Sequence, residues 1–422
     1  MARSARDPRR EAQIARLLVT ALRAAGAAGA LAACANVANP PGGPPDVAPP
    51  TVVHVRPESG AVVPAWKDEV EIQFSEVIDE MPSSAQSGGL AALVLLSPVA
   101  RGVKVQWRRD RVTVEPREGW KQGRVYRVEL LPGILDLRRN RLDTGRVVLF
   151  STGPEIGAAR ISGLALGWIE QRAIARALIE AVPLPDSVGY LTIADSMGRF
   201  RLEGLTPGRY LVYASVDPNT NRRRDAREAY DSVALQLDSA ATLALFAFPH
   251  DTAGPRLRTA TAVDSLHVRL EFSQALSGAR RLDTAQVRAV ELPDSTPVAV
   301  AQVLTQLEFD SLARQRRARA DTAAADTARA DTTAVRPPPR DSAAAARDTS
   351  EVKRLLAQRP VPSDKLILQF AAPLKPDTRY LISVTGATNL SGASADGQAV
   401  AVTPKPAAPA DTTRRQPPSP PL

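Results

Sequence analysis

"VEIQFSEVID", residues 70–79, returns without a gap as "VRLEFSQALS" at residues 268–277. Both stretches alternate apolar and polar side chains, the pattern of a strand with one face buried. Phe74 and Phe272 fall at the same place in the two copies and are expected to point inward. Further on, "VYRVELLPGILDLRRN" (125–140) matches "RYLISVTGATNLSG" (379–392), pairing Tyr126 with Tyr380 on a core strand near the end of each copy. Two copies of one sandwich are the simplest account of this internal repeat.

Around the first copy lie "TVVHV" (51–55), "VKVQW" (103–107), "VTVEP" (112–116) and "RVVLFS" (146–151), short β-branched runs separated by turn residues. "RRDR" between the second and third of these reads as a hairpin turn. The pattern predicts an antiparallel sandwich of about 100 residues. The second copy is longer, and its surplus lies at 305–360, an Ala/Arg/Asp/Thr-rich stretch broken by "RPPPR". So few large apolar residues are expected to leave it disordered or as loosely helical pieces. Between the copies, "ARISGLALGW" (159–168), "YLTIADSMGRFRLEGLTPGRYLVYASVD" (190–217) and "DSVALQL" (231–237) read as strands and tight turns, with Gly198 and Gly208 at the turns. Phe200, Leu202, Leu205 and Tyr210 are the expected core positions of this segment. The fold class is therefore all-β: three β-sandwich domains in series, at 49–154, 155–252 and 253–403, the last interrupted by the insert at 305–360. Residues 404–422 read as a disordered tail.

The first and third segments resemble bacterial Ig-like domains of the surface-layer (SbsA) type. The residues that carry this are "PPTVVHVRPESGAVV" (49–63), the "FSEVID" run (74–79) and "VYRV…DLRRNRL…FSTG" (125–153), with Asp136 and Asn140 forming the turn and Asn389 and Gly392 standing there in the third segment. The middle segment is similar to carboxypeptidase-regulatory, transthyretin-like sandwiches through "DSMGRFRLEGLTPGRYLVYASVD" (195–217). That resemblance implies an accessory module without catalytic residues of its own.

Ahead of the sandwiches, residues 1–16 are polar and Arg-rich, and 17–33 are apolar apart from Arg23. Basic region, short apolar region and small residues describe a secretory signal over 1–33. Leu31, Ala32, Ala33 and Cys34 resemble a bacterial lipobox, and Cys34 is the only cysteine in 422 residues. The resemblance implies cleavage before Cys34 and acylation of its thiol and new N-terminus, anchoring the chain through several acyl tails. Ala35 stands next to it instead of Asp, which implies export to the outer membrane. The Pro/Gly-rich 34–48 then reads as a tether.

The formal charge of +9 is scattered, with arginines interleaved with aspartates. No basic patch with stacking aromatics or base-reading motif accompanies it, so a nucleic-acid partner is not expected. One cysteine excludes a disulfide framework and a thiolate zinc site. His54, His250 and His267 lie far apart without metal-ligand spacing. Glu76 and Asp79, the nearest pair to an acid/base constellation, read as solvent-facing or turn-capping residues. With no nucleophile elbow, phosphate loop or HExxH, no catalytic residue is assigned and no cofactor is expected other than calcium.

Calcium enters through "DPNTNRRRDARE", 217–228, where Asp217, Asn219, Asn221, Asp225 and Glu228 occupy positions 1, 3, 5, 9 and 12 of a calcium loop. Arg222 stands where such a loop requires glycine, and three successive arginines oppose a cation. The other reading is a polar loop in which Asp217 caps a turn and arginines pair with Asp225 and Glu228. Trp66, Trp107, Trp120 and Trp168 offer a sugar-stacking face, or pack in cores. The expected protein is a non-enzymatic, lipid-anchored envelope component with a structural or adhesive role. Its partners would be the membrane and other envelope proteins or glycans; a carbohydrate- or peptidoglycan-binding module is the alternative.

Overall fold

Phe74 and Phe272 are both buried, at corresponding points of two sandwiches with the same strand order. The computed structural model describes residues 45–80, 89–325 and 343–405. Two units divide the chain, Met1–Pro49 and Pro50–Leu422, and the described strands all lie in the second. The molecule is nearly all β, with 48% of residues in strands and 9% in helices.

The first sandwich comprises β1 (Val52–Arg56), β2 (Val70–Phe74), β3 (Val94–Ser97), β4 (Val103–Arg108), β5 (Arg111–Pro116), β6 (Val125–Leu130) and β7 (Arg146–Ser151). They form the sheets β1-β2-β5-β4 and β3-β6-β7, which enclose Ile72, Phe74, Val114, Val128 and Phe150. The expected hairpin joins β4 to β5 through Arg109 and Asp110, with Arg109 at φ 59°.

The middle sandwich comprises β8 (Ala159–Gly167), β9 (Arg172–Ala173), β10 (Leu178–Pro183), β11 (Tyr190–Ile193), β12 (Arg199–Leu205), β13 (Gly208–Ser215), β14 (Tyr230–Leu237) and β15 (Ala240–Ala247). Its sheets are β11-β10-β13-β14 and β12-β8-β15, with β9 against β8. Phe200, Leu202, Leu205 and Tyr210 are in its core, as their alternation predicts. β15 runs parallel to β8, a pairing that local alternation does not encode.

The third sandwich comprises β16 (Leu257–Ala262), β17 (His267–Leu276), β18 (Val287–Leu292), β19 (Thr296–Val298), β20 (Val300–Thr305), β21 (Ser363–Phe370), β22 (Arg379–Thr388) and β23 (Ser394–Val402). Its sheet β16-β17-β21-β20 repeats β1-β2-β5-β4 element for element, and β18-β22-β23 repeats β3-β6-β7. The insert thereby gains a structural address. Residues 306–362 stand between β20 and β21, where the first sandwich has only the Arg109–Asp110 turn. A hairpin tip tolerates such growth because loop-closure entropy rises slowly with length.

Two details show how closely the copies correspond. The Tyr126 hydroxyl accepts a hydrogen bond from Lys121 N at 2.7 Å, and the Tyr380 hydroxyl accepts one from Lys375 N at 2.8 Å, each five residues upstream. Ile78 bridges to Asp136, and its counterpart Leu276 bridges to Asn389. The buried Asp136 accepts from Arg138 N and Asn140 N at 2.8 and 2.7 Å; Asn389 accepts from Ala393 N at 2.9 Å. Removing either tyrosine hydroxyl strands a backbone N–H. Tyr126→Phe and Tyr380→Phe are each expected to cost about 1–3 kcal/mol, read from urea midpoints. Losses near zero in both would show that these corners do not stabilise the sandwiches.

Of the two expectations for the insert, its described residues show helical pieces, α1 (Gln306–Ala325) and α2 (Ala343–Leu356), and α2 is docked, with Leu356 buried. Val352, Leu355 and Leu356, spaced i, i+3, i+4, make one apolar stripe on α2. This stripe packs on Leu164, Leu166 and Phe246 of the middle sandwich, so the insert buries apolar surface that its own sandwich does not supply.

Candidate functional site at the joints between sandwiches

Polar and aromatic side chains meet at both joints between the sandwiches. At the first, edge strand β3 meets edge strand β11. Leu191 N donates to Ser97 Oγ at 3.0 Å, and the Arg127 guanidinium donates to Leu191 O at 3.1 Å. Arg127 is only 3% exposed, and it pairs with Glu129, whose carboxylate also accepts from Thr192 Oγ1 at 2.9 Å. Arg124 reaches Asp186 at 3.0 Å nearer the surface. Gly204, at φ +76°, lies against the Leu149 side chain; a Cβ there would stand 2.6 Å from Leu149 Cδ1. The left-handed φ calls for glycine here, rather than the contact with the end of a flexible side chain.

The loop 217–228 belongs to this joint. It caps the β13–β14 hairpin, whose ladder it extends through Val216 N to Ala229 O at 2.9 Å. Asp217 accepts from Asn221 N at 3.1 Å and Arg222 N at 2.9 Å, so its carboxylate folds the loop back on itself. The side-chain amides of Asn219 and Asn221 both donate to Asp225 Oδ2, at 3.1 and 3.0 Å. Glu228 accepts from Asp225 N at 3.0 Å. All five candidate residues are thus drawn into one hydrogen-bonded loop.

The arginines go elsewhere than expected. The Arg222 guanidinium leaves the loop and donates to the carbonyls of Ala92 and Val94 in the first sandwich. Burial pushes its pKa down to about 10, with Asp217 opposing, so it remains a cation at neutral pH. Arg224 lies over the Tyr213 ring at 3.7 Å and over Tyr230 at 5.0 Å, a cation–π arrangement. Between these arginines and β3–β4 opens a cleft of about 760 Å³, with Glu180 of β10 on its wall. Burial pushes the Glu180 carboxyl above its ordinary range, against the pull of Arg224.

At the second joint, α2 lies on β8 and β15. Trp168 Nε1 donates to Pro360 O at 3.1 Å, and Arg199 pairs with Glu351 at 3.1 Å. Arg359 sits 4.1 Å from the Phe246 ring centre and 5.2 Å from that of Trp168. His250 is stacked between Tyr230 at 3.8 Å and Phe248 at 4.2 Å, and the buried His267 is held by Asp264 at 2.8 Å. Both histidines therefore serve packing.

The four tryptophans do not form one cluster, although Trp66 and Trp120 both pack on the Phe150 ring, at 6.2 and 5.2 Å. Trp66, Trp107 and Trp120 pack on the first core, and Trp168 closes the second joint. Leu31, Ala32, Ala33 and Cys34 lie outside the described residues, as do most of the tether and the tail. Sequence reasoning did not find Arg127, Glu129 or β3. Strand β3 is buried on both faces, so "VLLS" carries no alternation to read.

One family model bears on the first sandwich. Residues 46–152 match the bacterial Ig-like domain family. The match spans the strand order described above and agrees with the sandwich fold. No curated protein matches the chain. Among solved structures, the N-terminal part of the bacterial S-layer protein SbsC aligns at 10% identity and a TM-score of 0.20, over 36% of this chain and a quarter (25%) of that one. BcpA, the major pilin subunit of Bacillus cereus, aligns at 9% identity and a TM-score of 0.17, over 47% and 70% of the two chains. A putative carbohydrate binding protein from Bacteroides uniformis aligns at 8% identity and a TM-score of 0.18, over 58% and 97%. Likenesses this distant do not bear on function.

Proposed function

We propose that the protein is a non-enzymatic structural component of the bacterial cell envelope, anchored by lipid at Cys34. In this reading its three sandwiches are joined stiffly so that a surface is held away from the membrane. The observation that carries the structural role is the pair of closed joints. Buried Arg127 and half-buried Arg222 cross the first, and the α2 stripe crosses the second. Loosely linked domains have no use for a buried guanidinium between them, since its desolvation has to be offset by fixed acceptors. The Ig-like match over 46–152 supports the envelope setting, and "LAAC" at 31–34 supports the anchor. The middle sandwich is read as a carboxypeptidase-regulatory-like accessory module on the strength of "GRFRLEGLTPGRY" at 198–210.

Intact mass spectrometry of the protein from native membranes tests the anchor. A mature chain beginning at Cys34 and carrying acyl mass is expected, with both features lost in Cys34→Ala. An unacylated chain with a free thiol would overturn the anchored reading.

A further inference from the structure

We propose that the cleft between β3–β4 and β10–β11 binds an amino acid or short apolar peptide with free ends, its ammonium group at Glu180 and its carboxylate at Arg224. The inference goes beyond the structural role and does not rest on the lipid anchor.

The sheet places the two charges. Ile179 and Ala181 face the middle core, so Glu180 between them projects from the outer face of β10. Its cross-strand neighbours on that face are Tyr213 of β13 and Leu191 of β11. Gly189 leaves room for its stem, since a Cβ at 189 would stand 2.6 Å from Glu180 Cγ. The Arg224 guanidinium is stacked 3.7 Å over the Tyr213 ring. A guanidinium held by its face keeps its N–H edges available for a carboxylate. Opposite charges thus line one cleft, yet no ion pair joins them. Glu180 feels Arg224 only as a field, and its carboxylate has no hydrogen-bond partner among the described residues.

A half-buried carboxylate without a partner is costly, and a positively charged donor offsets that cost best. An anion alone would serve Arg224 and set a second negative charge beside Glu180. A zwitterion meets both. The loop that carries Arg224 spends its own oxygens on its own backbone: Asn219 Oδ1 accepts from Asn221 N at 3.0 Å and Asn221 Oδ1 from Arg223 N at 2.8 Å. Arg222 is committed to Ala92 and Val94, which leaves Arg224 and the exposed Arg223 as the cations free to meet a ligand. Across the cleft, Val99, Val103 and Val105 supply an apolar wall, with Leu191 on the near side. That wall suits an aliphatic side chain beside the charged ends, and a volume of about 760 Å³ has room for a short peptide. A phosphoethanolamine headgroup carries the same two charges but no aliphatic side chain beside them.

The test is calorimetric titration of the full chain with the dipeptide Leu-Leu. Saturable binding at one site per chain is expected. N-acetyl-Leu-Leu, which lacks the ammonium, and Leu-Leu amide, which lacks the carboxylate, should each bind at least about tenfold more weakly. Glu180→Gln should weaken Leu-Leu by a similar factor and leave N-acetyl-Leu-Leu unchanged. Arg224→Gln should weaken Leu-Leu and leave the amide unchanged. A merely disturbed joint would weaken every ligand alike, so the crossed pattern marks direct contact. No saturable heat with leucine, Leu-Leu or trileucine at about 10 mM would overturn the proposal. So would N-acetyl-Leu-Leu binding as tightly as Leu-Leu, a result that needs no variant to fold. Phosphoethanolamine binding more tightly than Leu-Leu would overturn it in favour of a lipid headgroup.

Discussion

Arg127→Ala is expected to lower the unfolding free energy of the first joint by about 3–5 kcal/mol. Arg127 and Glu129 are 3% and 14% exposed, so water does not screen the pair. Alanine leaves the Glu129 carboxylate largely buried, with Thr192 Oγ1 as its remaining bonded donor, and strips Leu191 O of its guanidinium. Removing one member of a buried pair costs more than removing both, because the cost lies in the stranded charge. The double substitution Arg127→Met with Glu129→Leu should therefore recover most of the loss. Chemical denaturation followed by tryptophan fluorescence separates these outcomes. A single-substitution loss under about 1 kcal/mol, the size of an exposed ion pair, would show that the pair does not close the joint.

Leu356→Asp is expected to release α2 from the middle sandwich. Leu356 is 5% exposed against Leu164, Leu166 and Phe246, and a carboxylate there would be buried without a partner. The penalty, about 3 kcal/mol or more, exceeds what one short apolar stripe returns. Proteolysis should then become rapid across α2, and Trp168, which donates to Pro360 O, should emit at longer wavelength. Lys353→Asp, on the exposed side of the same helix, should change neither. The first sandwich should melt as before in both variants. Unchanged protease resistance in Leu356→Asp would mean that Arg199–Glu351 and Arg359 hold the second joint without the stripe.

Both substitutions act on contacts between sandwiches, and there the sequence was least legible. Arg127 sits in "VYRVEL" like any solvent-facing residue of an alternating strand, since one sheet face is normally wet. Only the arrival of β11 against β3 makes that face an interior. In the loop at 217–228 the spacing of five oxygen-bearing residues was visible, but the destination of Arg222 was not. Its partners are carbonyls more than a hundred residues away, and carbonyls have no sequence signature. The insert divides in the same manner. Its composition hides the Val352–Leu355–Leu356 stripe, because three apolar residues become a docking face only when a matching groove is present.

Local periodicity by itself determined the one-face-buried strands, the repeat and the core positions named on them, but not β3, which is buried on both faces. Phe74 and Phe272, Tyr126 and Tyr380, and the alternation through Phe200 and Tyr210 all follow from a two-residue period with one face buried. Tertiary structure alone decided which edges meet, where the insert docks and which charges become buried. The physical reason is range. Strand patterning is written within a few residues, whereas the energy of a buried ion pair or a docked helix depends on groups that only the completed fold brings together.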